Sequence, residues 1–169
     1  MRIRFYILAA LIMCSFSGYG QPDSTWAKWD WLMGKWKGAG MGAPGEGKGT
    51  FSFKLNLDNN ILERSSHTEY PATADKPAST HDDLLIVYKD FSGNPLKAIY
   101  FDNEGHSIRY DIKLRDHIII FTSEWVTGMP VYRLTYTLLD DGMLNTKFEI
   151  SKDGKEFSTY VEGKSKKVK

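Results

Sequence analysis

From residue 36 to the C-terminus, apolar and polar positions alternate in short runs broken by turn-forming residues. Phe51, Phe53, Leu55 and Leu57 alternate with Ser52, Lys54 and Asn56, the pattern of a strand with one buried face. Further strands are predicted at 61–70, 83–89, 97–101, 106–114, 117–125, 131–138, 144–150 and 157–163. The breaks between them carry turn chemistry, including Ser92-Gly93-Asn94-Pro95, Asp102-Asn103-Glu104-Gly105, Asp140-Asp141-Gly142 and Lys152-Asp153-Gly154. With a first strand beginning at Trp36, this makes about ten strands and no internal repeat.

Two segments depart from the alternation. Asp23, Ser24 and Thr25 offer helix N-caps ahead of Trp26, Trp29 and Met33, which fall on one helical face. One or two helical turns closing a barrel mouth are predicted there. Residues 38–49 hold six glycines and Pro44. The stretch lacks the Gly-Lys-Ser/Thr ending of a phosphate loop, so it reads as a flexible hairpin between the first two strands.

The fold this predicts is all-β: an up-and-down antiparallel barrel of about ten strands, closed by a short N-terminal helix. Closure is favoured because it removes the two open edges of the sheet. A two-sheet sandwich has the same periodicity and is the structural alternative.

Gly34-Lys35-Trp36, entering the first strand after an aromatic segment, resembles the Gly-x-Trp of the calycin group, which includes lipocalins, fatty-acid-binding proteins and nitrobindin-like barrels. The strand number is nearer the ten-stranded members. The resemblance implies a barrel around one small, mostly apolar ligand. The ligand of no single relative carries over. There is no Thr-Asp-Tyr-like element of lipocalins, and the final histidine is His117, away from the C-terminal position of a nitrobindin haem ligand. The last strand reads Ser158-Thr159-Tyr160-Val161, without the Arg-x-Tyr of fatty-acid-binding proteins.

The first twenty residues read as a secretory signal. Arg2 and Arg4 precede the apolar run 5–13, and small residues stand before Gln21. Periplasmic or secreted localisation is expected, and residues 21–169 form a single domain. Lipid anchoring through Cys14 is the alternative; Met13 replaces the small residue a lipobox needs. The apolar run is too short to span a membrane. Removing the signal takes away the one cysteine, so neither a disulfide nor a thiol nucleophile is available. It also lowers the basic count from 22 to 20 against 21 acids, a near-neutral balance that gives no reason to expect nucleic acid.

Candidate chemistry comes from the faces of the strands. On 106–114, His106 and Tyr110 share a register with Ile108 and Ile112 and are expected to face inward. Tyr100 lies in one register of the neighbouring strand, and Tyr88 shares a face with Leu84 and Ile86. Arg133 would hold a ligand carboxylate if its register with Val131 and Thr135 faced inward, and would lie on the surface if Tyr132, Leu134 and Tyr136 did. Glu124, after the run Ile118-Ile119-Ile120-Phe121, is the carboxylate singled out as an acid or base. The candidate ligand-binding set is therefore Tyr88, Tyr100, His106, Tyr110, Glu124 and Arg133. The histidines lack metal-ligand spacing within any one element, and no motif calls for a cofactor or a metal. No Gly-x-Ser-x-Gly elbow occurs.

The expected function is an exported barrel that binds a small apolar or amphiphilic molecule. The alternatives are an isomerase or hydrolase acting on an apolar substrate in the same cavity, or a module that binds a protein partner. The oligomeric state is not legible.

Overall fold

The computed structural model describes residues 25–91 and 96–168. The predicted secretory signal with Cys14, the candidate caps Asp23 and Ser24, and the expected turn at 92–95 lie outside the described residues.

Ten strands follow one another: β1 (Gly34–Gly42), β2 (Gly45–Asn56), β3 (Ile61–Tyr70), β4 (Ser79–Lys89), β5 (Leu96–Asp102), β6 (Ser107–Arg115), β7 (Ile118–Ser123), β8 (Val131–Leu138), β9 (Leu144–Ser151) and β10 (Ser158–Val168). Each pairs antiparallel with its neighbour in sequence, and β1 pairs with β10 to close the barrel. The alternation of apolar residues dictates this arrangement: one face of each strand fills the interior, and closure satisfies the edges. Among the described residues no helix is long and apolar enough to cross a membrane.

The expected N-terminal helix is a correction. Among the described residues the segment before β1 holds only a three-residue 3₁₀ turn, Ala27–Trp29. A segment this short cannot repay helix nucleation, so burial of its indoles decides its path. Trp26, Trp29 and Leu32 join the core. Trp26 Nε1 donates to the Asn59 carbonyl at 2.7 Å, and the Trp29 ring stands edge-on to Phe121 at 6.0 Å. These side chains fill the end of the barrel that carries the β2–β3 and β6–β7 turns.

The glycine-rich stretch forms the expected hairpin between the first two strands, but nearly all of it is strand, because β1 and β2 pair without a break as far as Gly42 and Gly45. Gly38, Gly40, Gly47 and Gly49 occupy the inward positions of these strands. A Cβ at Gly38 would lie 2.2 Å from the Lys164 carbonyl, and one at Gly49 would lie 2.4 Å from that of His67. Only glycine permits so close an approach of neighbouring backbones.

Candidate functional site

The interior has two halves. Towards the tryptophan end it is solid, with Trp29, Trp36, Phe53, Leu62, Leu85, Phe121 and Tyr136 all buried. Towards the other end lies a cavity of about 630 Å³ that opens between the β1–β2, β5–β6 and β7–β8 turns.

One wall of the cavity is bare backbone, formed by Gly38, Gly40, Gly47, Gly49 and Gly163. The absence of side chains there is what leaves the space open. Phe51, Ile108, Tyr132, Leu134, Phe148 and Ile150 supply apolar walls, and Tyr132 stacks on Phe148 at 5.9 Å. A register shift in β10 between Thr159 and Val161 breaks the simple alternation, and both Tyr160 and Val161 line the cavity.

The charged groups and imidazoles of the wall come from β3, β4, β5 and the β5–β6 turn. Arg64 donates from Nη1 to Asp83 Oδ1 at 2.6 Å, and both side chains are buried. His81 lies between Tyr100, with Nε2 2.9 Å from the hydroxyl, and Glu104, with Nδ1 3.0 Å from Oε1. The Tyr100 hydroxyl donates to Asp102 Oδ2 at 3.2 Å. His106 Nδ1 lies 2.9 Å from the same oxygen, while Asp102 Oδ1 accepts the backbone N–H groups of Glu104 and His106. A continuous hydrogen-bonded chain therefore runs from the exposed rim to the half-buried Tyr100.

The electrostatics follow from burial and neighbours. Burial, with the Asp83 and Asp102 carboxylates close by, pushes the Tyr100 hydroxyl far above its ordinary pKa, so it stays a proton donor. Burial raises Tyr110 and Tyr136 in the same direction. Burial alone would lower the Arg64 pKa, but Asp83 and the surrounding tyrosines outweigh it and hold the guanidinium charged. Burial would raise Asp102, yet its hydrogen bonds from His106 and Glu104 carry it below the ordinary carboxylate value. Among the described residues no group of three or more His, Cys, Asp or Glu is arranged to hold a metal ion.

Tyr100, His106 and Tyr110 line the cavity together, with His106 at its rim. Arg133, Glu124 and Tyr88 stand elsewhere. The inward register of β8 is Tyr132, Leu134 and Tyr136, so Arg133 lies outside, where its Nε donates to Glu149 at 2.8 Å and its guanidinium covers the Phe157 ring at 3.8 Å. Glu124 is solvent-exposed 3.4 Å from Lys97. Tyr88 belongs to the outer register of β4, since Leu85 and Val87 are the fully buried pair.

Arg64 escaped the sequence reading, and His81 and Asp83, weighed there only with Asp82 as a rim cation site, are not in its ligand-binding set. A signal for Arg64 exists: Glu63, His67 and Glu69 share one register of β3, which turns Leu62, Arg64, Ser66 and Thr68 inward. For β4 the signal is weaker, because both registers carry apolar residues.

No known protein-family profile matches the chain, and no curated protein matches it in sequence. Among solved structures, the crystal structure of Rv2717c from M. tuberculosis is similar, with a TM-score of 0.60 and 11% identity. The match covers 88% of this chain and 100% of that one. At that identity the likeness concerns the fold, a closed antiparallel barrel.

Proposed function

We propose that this chain holds a small apolar or amphiphilic molecule inside its barrel, in the manner of the calycin proteins it resembles. The cavity carries this reading. Its volume of about 630 Å³ is of the size that takes a small organic ligand. Its walls are largely aromatic and aliphatic, and its charged groups and imidazoles converge in one sector, which suits an amphiphile with a defined head. Tyr100 and Tyr110 contact the ligand within the cavity, and His106 contacts it at the rim. Export is part of the same proposal and rests on the first twenty residues.

Native mass spectrometry of the protein produced with its own leader tests both parts. A chain beginning at Gln21 supports export. An added mass that leaves on denaturation supports the container. A bare mass, combined with no binding of an apolar fluorescent dye, would overturn it.

A further inference from the structure

The arginine that faces the cavity is Arg64, and its surroundings specify what it can receive. Its residue exposure is 7%, and its guanidinium carbon lies 5.5 Å from the Phe51 ring centroid and 5.8 Å from that of Tyr136. Among the described residues its hydrogen bond goes to Asp83 alone, through Nη1, and its buried Nε has no partner. A guanidinium carries five N–H donors in a rigid fork, and leaving buried donors unpaired is costly. The spare capacity calls for an acceptor from the ligand.

Charge decides which acceptor. Asp83 already neutralises Arg64 in a site where both side chains are nearly inaccessible, 5% and 9% exposed. Asp102 and Glu104 line the same cavity, so three carboxylates accompany one guanidinium. The imidazoles serve the outer members: His81 bonds Glu104 and Tyr100 and stands 3.7 Å from Asp83, and His106 bonds Asp102. A ligand carboxylate brought to Arg64 would meet a like charge in a poorly hydrated wall. A carbonyl in the cavity takes an N–H of the terminal Nη groups, since Nε is sealed from the cavity, without that repulsion.

We propose that Arg64 and Asp83 form a selectivity pair. Arg64 anchors a neutral acceptor such as an ester, amide or ketone carbonyl, and Asp83 excludes the corresponding acid. The proposal rests on the container reading above and names the head group of its ligand.

The test uses a dansyl-labelled undecanoic acid and its methyl ester, titrated side by side at about pH 8, where the probe's carboxyl is ionised. The native protein binds the ester at least about tenfold more tightly than the acid. Asp83→Asn gains about tenfold for the acid with little change for the ester. A second variant, Arg64→Met with Asp83→Asn, removes both charges together and leaves no buried unpaired ion. It loses about tenfold for the ester, whereas a cavity selecting only for apolarity would bind the ester more tightly once both charges were gone. Equal or tighter binding of the acid by the native protein, or tighter binding of the ester by the double variant, would overturn the selectivity pair and leave the container standing. Binding of neither probe by the native protein would remove both.

Discussion

The indole Nε1 of Trp36 donates a buried hydrogen bond of 2.8 Å to the carbonyl oxygen of Leu32. It ties the aromatic segment to the first strand at the turn marked by Gly34, whose φ of 102° suits glycine alone among common residues. Trp36→Phe keeps most of the apolar volume but leaves the Leu32 carbonyl without this donor. The expected loss is about 1–3 kcal/mol of stability, read from the midpoint of urea unfolding. An unchanged midpoint would show that the bond contributes nothing.

The glycine wall makes a graded prediction. A Cβ at Gly38 meets backbone at 2.2 Å, whereas one at Gly40 meets its nearest neighbour at 3.0 Å. Gly38→Ala should therefore cost about 1–3 kcal/mol and Gly40→Ala clearly less. Thermal melts of the two variants side by side decide it, and the reverse order would refute the packing argument.

Asp102 sets an acid limit. Its pKa is lowered in the folded state by bonds from His106 and Glu104, so its contribution is present above the ordinary carboxylate pKa of about 4 and is lost as pH falls through the lower folded value. Asp102→Asn should be less stable than the native protein at neutral pH and should show a shallower loss below about pH 4. Parallel stability curves for the two proteins would contradict this.

Arg133 and Glu149 form a pair on the outer face, with the Glu149 side chain 7% exposed. Arg133→Ala strands that carboxylate with Lys147 at 3.2 Å as its remaining partner, and about 1–3 kcal/mol of stability should be lost. Binding of a cavity probe should not change. A large fall in affinity at intact fold would place Arg133 in the site after all.

The barrel was readable because alternation and turn chemistry agree along most of the chain. Asp140-Asp141-Gly142 turns where expected, with Gly142 at a φ of 75°, and β3 and β8 coincide with their predicted ranges. Residues 38–49 hide how far β1 and β2 extend because glycine has no hydropathy to alternate. Their alternating placement is itself a strand signal, visible only when close backbone approach is considered. The site was half legible for a related reason. His106, Ile108, Tyr110 and Ile112 separate cleanly from Ser107, Arg109 and Asp111, which aims Tyr110 inward. In β4, Leu84, Ile86 and Tyr88 compete with Leu85 and Val87, so periodicity leaves the inward position of Asp83 undecided. Arg133 and Arg64 differ only in register, which pairing with distant strands fixes.

The seam between β1 and β10 joins the first and last strands of the barrel, with Trp36 opposite Lys167. Until Val168 is in place, β1 and β9 both present unpaired edges, and every earlier hairpin waits on the one closure with the longest loop. Closure of the cavity and resistance to aggregation thus depend on the same eleven-residue strand, and loss of its pairing would act on the whole barrel at once.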